Sequence, residues 1–347
     1  MRIQFRGLLS SVSSAYRLPL RPQPGTSLMR LRALSLLAAF AVLTCVAALG
    51  QVHDYSTIVV FGDSLSDTGN VLHLSEDKYG VPVPGPILPY EDYTVGRFTD
   101  GADTIPAAQN YFGVWIEQLA AALPSHPAVI DSLDGGTNYA YGFATTANST
   151  SPLTFYGPSN SVYSVQVENI GQQITDYLAT HPHIDKHTLF VVWGGSNDVL
   201  DATSSRDIFN AAVQQTLNLQ RLIQAGATQF LVPNLPPLGL LPRLNGSTTT
   251  STPATAASLL FNAYLSTGIG VLKYFYPRRR LNVYQLDVFH IYLNVVASPS
   301  SYLLTNVTTP AETLQVDPDT YLFWDDLHPT TRGHNILAGA AIQLMSQ

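Results

Sequence analysis

The chain has 347 residues, 46% of them hydrophobic and 12% charged, with 17 Lys and Arg against 24 Asp and Glu. That composition excludes a disordered or fibrous protein, because ample apolar surface is available for burial and no collagen or heptad period runs through it. Residues 1–50 hold six arginines and no acid, which leaves 11 bases against 24 acids in residues 51–347, a formal −13; a body so acidic repels phosphate backbones and anionic membranes, which argues against nucleic acid as a partner and against stable membrane association.

In chain order, the first feature is the apolar run 33–50, preceded by Arg30 and Arg32 and ending in Ala47, Ala48 and Gly50. Basic flank, apolar core and small-residue exit are the three parts of a secretory signal, so a secreted chain beginning near Gln51 is expected. Met29 would begin a signal of ordinary length, and residues 1–28 read either as a long basic region or as an upstream start. Two alternatives stay open: a retained anchor helix at the membrane, or a mitochondrial leader rich in Arg and Ser. The single cysteine, Cys45, lies in this run, so the processed chain would have no disulfide. Asn148-Ser-Thr, Asn245-Gly-Ser and Asn306-Val-Thr are glycosylation acceptors that fit secretion. The remaining residues, 51–347, suffice for a single large domain, and no linker divides them.

Beyond the leader, short β-branched runs alternate with longer helical patterns. Strands are expected at 57–61, 189–193, 229–232 and 281–286, with a weaker one at 129–130. Helices are expected at 114–123, 165–179, 207–225, 254–275 and 331–345, where apolar residues recur at three- and four-residue spacing. This alternation predicts an α/β fold, a central parallel sheet covered by helices on both faces, with the site at the carboxyl ends of the strands. Residues 245–258, rich in Ser and Thr, read as a solvated surface loop.

Two segments carry chemistry. Phe61-Gly62-Asp63-Ser64-Leu65-Ser66-Asp67-Thr68-Gly69-Asn70 places Ser64 just past the first strand in a glycine-flanked turn, where its hydroxyl is exposed and its own N–H is free for a developing oxyanion. Asp325-Asp326-Leu327-His328-Pro329 places a carboxylate three residues before a histidine, so that the acid holds one ring nitrogen while the other faces the serine. Thr330 or Thr331 caps the following helix. Asp326 is the alternative orienter if the turn is shifted by one residue, and Asp198 reads as a turn-stabilising carboxylate. His181, His183 and His187 lack a Cys or acid at ligand spacing and read as surface residues, not a metal site. His334 reads as a packing or capping residue.

With these segments the sequence resembles the GDSL, or SGNH, hydrolases, whose four blocks carry a Ser, a Gly, an Asn and an Asp-x-x-His in that order. Gly136-Thr-Asn138-Tyr-Ala-Tyr-Gly142 resembles the second block and Gly194-Gly195-Ser196-Asn197-Asp198 the third. The wording GRFTDG, WIEQLA, NYAYGFATT and FLVPNLPPLG is similar to a secreted fungal branch, to carbohydrate esterase family sixteen acetylesterases and to plant-type GDSL esterase/lipases. The resemblance implies a three-layer α/β/α sandwich without metal or organic cofactor. It also implies Ser64 as nucleophile, His328 as base and Asp325 as orienter, with Ser64, Gly142 and Asn197 around the oxyanion.

Two departures accompany it. Phe143 stands where relatives have glycine, which puts a ring beside the oxyanion hole, and residues 102–112 separate GRFTDG from WIEQLA, as an extra loop over the cleft or a retained intron. Tyr90, Tyr93, Tyr139, Tyr141, Tyr156 and Trp193 are expected to rim the cleft, and Phe143, Tyr141 and Trp193 to touch substrate. The expected activity is hydrolysis of short acyl esters, chiefly acetyl on neutral carbohydrate or another small-molecule ester, by a monomer. A lipase or phospholipase on longer chains is the alternative, and a non-catalytic binding protein on the same scaffold is the second.

Overall fold

The computed structural model describes residues 53–84, 93, 96–100, 112–156, 161–314 and 316–347. Residues 1–50, read above as a leader, Tyr90 and residues 102–111 lie outside them.

The centre of the fold is a four-stranded parallel sheet in the order β1 (Thr57–Gly62), β4 (Thr188–Trp193), β5 (Gln229–Pro233) and β6 (Asn282–Leu286). All six residues of β4 and the last five of β1 are buried. Strands covered on both faces read as continuous apolar runs, which is why TIVVFG and TLFVVW are legible as strands. Helices α3 (Ile170–Thr180), α5 (Ser205–Ala225) and α7 (Thr248–Phe275) pack together in one layer, and α2 (Trp115–Ala122) packs on α9 (Thr331–Met345) in another. The result is the expected three-layer α/β/α sandwich. Ser204 starts α5 by accepting the Asp207 N–H while the Asp207 carboxylate returns to the Ser204 N–H, and Gly226 ends it at φ +119°.

Three expectations are corrected. No strand forms at 129–130: the outer edge of β1 is met instead by 137–139, where Val60 N–H donates to the Thr137 carbonyl and Tyr139 N–H to the Val60 carbonyl. Residues 165–168 are not helical but belong to β3 (Val162–Glu168), which forms an antiparallel hairpin with β2 (Thr150–Tyr156); Leu153, Phe155, Val165 and Val167 alternate inward. The Ser/Thr-rich stretch is not a loop from 248 onward. It opens α7, where Ser247 Oγ accepts the Thr249 N–H and Ser258, fully buried, accepts the Leu238 N–H. Among the described residues α7 is long and apolar enough to cross a membrane, but Phe261, Leu265, Ile269 and Leu272 form a stripe buried within the domain.

Pairing between β1 and β4 brings Gly62 opposite Trp193. The loops that follow, carrying Ser64 and Asn197, therefore leave the same carboxyl edge side by side.

Candidate active site

Ser64 lies two residues past β1 on a turn closed by the Ser66 and Asp67 N–H groups on the Asp63 carbonyl. The rest of the ten-residue motif anchors the second block. Asp67, fully buried, accepts the N–H groups of Gly69, Asn70 and Val71 at the start of α1 (Asn70–Tyr79), and also that of Gly142 at 2.8 Å. Burial raises the Asp67 carboxyl to about 6 against these hydrogen bonds. Asn70 Nδ2 donates to the Asn138 and Ala140 carbonyls, and Asn138 Nδ2 returns to the Ser66 carbonyl and Thr68 hydroxyl. Such a network fixes two loops distant in sequence to a single geometry.

From the other end of the chain, the turn after β8 (Tyr321–Phe323) is closed by Trp324 N–H on the His328 carbonyl at 2.8 Å. His328 Nε2 lies 2.9 Å from Ser64 Oγ, and its Nδ1 lies 2.6 Å from Asp325 Oδ2. Asp325 Oδ1 accepts the N–H groups of Leu327 and His328 at 2.7 and 2.6 Å. Burial would push the Asp325 carboxyl up, but the charge of His328 and these hydrogen bonds hold it down at about 2. Burial lowers the His328 pKa, and the charges of Asp325, Asp63 and Asp326 outweigh it, so the net direction is upward from 6.5. Asp63 itself is pushed up to about 7 by burial. Asp326 instead forms an ion pair with Arg243 at 2.9 Å in which both side chains are about half exposed. Asp325 is thus the carboxylate on the ring, and Thr330, whose Oγ1 accepts the Gly333 N–H, is the helix cap.

Asn197 sits in the same cavity as Ser64 and His328. One of its amide hydrogens goes to the Ala144 carbonyl at 3.0 Å, which orients the side chain, and among the described residues the other has no partner. Asp198 receives the Thr146 N–H and hydroxyl, tying the third block to the second.

The second block departs from expectation by one residue. The Gly142 N–H is committed to Asp67, so it does not face an oxyanion. Tyr141 to Ala144 form a turn closed by the Ala144 N–H on the Tyr141 carbonyl, with Phe143 at φ +67° in the position that favours glycine. Among the described residues the Phe143 N–H donates no hydrogen bond, and Phe143 lines the cavity with Ser64 and Asn197. Gly142 is required for another reason: a Cβ there would stand 2.4 Å from the Phe98 ring, which itself lies against His328 with centroids 5.2 Å apart.

Two further assignments are corrected. Trp193 is buried among the helices, edge-on to Trp115 at 5.2 Å, with its Nε1–H on the Asn234 carbonyl, because its strand side chain points into the helix layer and not over the strand end. Tyr141 is likewise buried, in a second small core with Val71, Phe98 and Phe155. Tyr139 packs on Phe61 and Tyr177. Of the expected rim only Tyr93 and Tyr156 line a cleft among the described residues, and Phe143, expected to touch substrate, lines both cavities. His334 is a buried packing residue, its pKa lowered to about 3 by burial.

Residues 96–100 act in a way the motif did not reveal. Thr99 Oγ1 donates to the Pro329 carbonyl, and the buried Asp100 carboxylate takes both the N–H and hydroxyl of Thr331, so this segment braces the turn that carries Asp325 and His328. Arg97 pairs with Glu117 of α2 at 2.7 Å.

Two cavities meet at His328, Leu327 and Phe143, and Ser64 opens on the first of them. One is narrow, about 50 Å³, and apolar, walled by Leu65, Leu200, Leu238, Leu241 and Tyr292. The other is an open cleft of about 700 Å³ in which Tyr93, Phe155 and Tyr156 stand beside Arg243, Glu312 and Asp326.

Comparison with known proteins adds a family match. The family model described as GDSL-like Lipase/Acylhydrolase matches residues 58–341. An uncharacterized protein of the trpE-trpG intergenic region of Pseudomonas putida is 27% identical over 340 residues, covering 89% of this chain and 51% of its own. A GDSL esterase/lipase of Arabidopsis thaliana is 26% identical, covering 80% of this chain and 84% of its own. A solved acetyl xylan esterase covers 82% of this chain and 96% of its own at 10% identity and a TM-score of 0.39. The chain thus spans about half the length of the first of these relatives.

Proposed function

The chain belongs to the GDSL-like lipase/acylhydrolase family, and we propose that it hydrolyses carboxylic esters through an acyl-enzyme on Ser64. The observation that carries this reading is the continuous path from Ser64 Oγ through His328 to Asp325, at 2.9 and 2.6 Å, with Ser64 in the narrow cavity, Asp325 in the open cleft and His328 lining both.

His328 Nε2 takes the hydroxyl proton as Ser64 Oγ attacks the ester carbonyl carbon. Asp325 keeps Nδ1 protonated and stabilises the imidazolium. The carbonyl oxygen, now an oxyanion, receives the N–H groups of Ser64 and Phe143 and the free amide hydrogen of Asn197. Collapse expels the alcohol, which takes its proton from His328, and leaves the acyl group on Ser64. Water, deprotonated by His328, attacks in the second half, and the acid departs as Ser64 regains its proton. The simplest test is turnover of a small chromogenic acetyl ester by the purified chain. Hydrolysis is expected; an inactive, folded chain would favour the binding-protein reading.

The two cavities divide the substrate. A cavity needs roughly 10–15 Å³ per water-sized group, so the narrow one admits an acyl chain of about two to four carbons, while the open cleft takes the alcohol. Aromatic rings beside charged groups suit a neutral sugar there. Each accommodated methylene contributes about 0.8 kcal/mol, whereas overpacking costs about 1–3 kcal/mol. We therefore expect kcat/KM over a nitrophenyl ester series to peak between two and about four carbons and then fall, with the fall softened in Phe143→Gly. An optimum at eight or more carbons would contradict this division and favour a lipase, a reading to which the leucine-lined wall lends support.

Secretion after removal of the leader is the corresponding reading of residues 33–50. Of the three acceptors, Asn148 is exposed with an Nδ2 that donates no hydrogen bond among the described residues, whereas Asn245 Nδ2 donates to the Thr308 carbonyl and Asn306 Nδ2 to Thr309 Oγ1. Material from a eukaryotic host is expected to begin near Gln51 and to carry glycan first at Asn148, as read by intact and peptide mass. Recovery only in membranes with 33–50 retained would contradict it.

A further inference from the structure

Both oxygens of Asp325 are engaged, and one donor comes from far away in sequence. Oδ1 takes two N–H groups of its own turn, and Oδ2 takes the ring N–H of His328. The remaining partner of Oδ2 is the Tyr93 hydroxyl, which donates to it at 2.8 Å. Tyr93 is held there by a backbone bridge to Asp100, the residue that braces Thr331, and its ring stands edge-on to Trp324 with centroids 6.1 Å apart. Its ring also lines the open cleft. Resting on the ester-hydrolase reading, we propose that Tyr93 is a positioning residue whose hydroxyl fixes the Asp325 carboxylate and sets how strongly that carboxylate supports the imidazolium.

The physical argument is a competition for one oxygen. A hydroxyl donated to Oδ2 draws charge away from the bond to Nδ1 and holds the carboxylate in the plane that the ring requires. Without it, more negative charge faces the ring, the protonated form of His328 is favoured, and the carboxylate is freer to rotate. The other charged or titratable groups facing the pair are Asp63 from the turn after β1, Asp326 beside Arg243, Glu312 across the cleft and neutral His334 on α9. Among the described residues Oδ2 is met by the His328 ring and the Tyr93 hydroxyl, so removing that hydroxyl leaves these other groups in place.

The test is Tyr93→Phe in the full chain, which keeps the ring and its contact with Trp324. Ring-proton NMR titration of His328 should show its pKa raised by about half a unit, independent of whether any ester is turned over. In the ester assay, kcat should fall about tenfold, on the scale of a hydrogen bond to a charged group, with KM little changed and the acid limb of kcat/KM moved to higher pH. A merely structural role would lower the active fraction and leave the limb and the His328 titration in place; that result overturns the proposal. If Tyr93→Phe does not fold, the wild-type chain decides: a cross-peak between the Tyr93 hydroxyl proton and the His328 Nδ1 proton is expected, and its absence overturns the assignment. An inactive wild type with the shifted titration would instead count against ester hydrolysis and leave the Tyr93 coupling standing.

Discussion

Ser64→Ala is expected to lower kcat/KM for an acetyl ester by about 10⁴-fold or more, leaving only what the oxyanion donors and substrate binding supply. The side chain is small and nearly buried, and among the described residues its hydrogen bond is to His328 Nε2 alone. Removal of one oxygen opens no appreciable cavity, so thermal unfolding should be nearly unchanged. The loss therefore reads chemistry and not folding. Steady-state rates with an active-site-titrated wild type as reference check it; residual hydrolysis within tenfold of wild type would mean that the nucleophile lies elsewhere.

The second large effect separates two adjacent carboxylates. Asp325→Asn should lower kcat by about 10⁴-fold, because an amide placed at Oδ2 either offers its N–H to Nδ1, forcing the wrong tautomer, or turns its oxygen there and loses the charge that stabilises the imidazolium. In the first orientation Tyr93 loses its acceptor, and in the second the two backbone N–H groups lose theirs. Asp326→Asn should change kcat by less than about twofold, since an exposed ion pair contributes about 0–1 kcal/mol. Parallel kinetics of the two variants check the contrast. Equal losses would mean that the turn is shared between them.

The parts of this architecture that were legible in the sequence are those where chemistry or burial leaves one residue type. Runs such as TLFVVW can be buried on both faces only as inner strands, and Ser64 and His328 stand in motifs whose neighbours are themselves structural: Asp67, Asn70 and Asn138 knit the first two blocks together. What was not legible depends on direction. Trp193 closes a strand with its ring among the helices, a choice of face that alternation cannot assign in a run buried throughout, its one polar residue Thr188 included. Which N–H of the second block faces the cavity turns on one dihedral, the φ of +67° at Phe143, and on Asp67 capturing the neighbouring N–H. The hairpin was hidden because VYSVQVE runs through Asn169 into a helix, so that its apolar residues also satisfy a helical spacing. Thr-rich 248–258 is helical through contacts with residues 238–240, in which Gly239 approaches the Ser251 carbonyl closely, and such support is invisible in a low-complexity stretch. Tyr93 reaches Asp325 across 232 positions, a distance no local pattern spans.

The most direct measurement is the identity of the atom that becomes acylated. Incubating the chain with a reactive phosphonate ester, digesting it and locating the adduct by peptide mass reads that identity without reference to the natural substrate. The account predicts one adduct per chain, on Ser64, absent from Ser64→Ala and absent from Ser66, whose hydroxyl is buried and accepts the Trp115 Nε1–H. An adduct on any other residue, or full ester hydrolysis by a chain in which Ser64 stays unmodified, would contradict it.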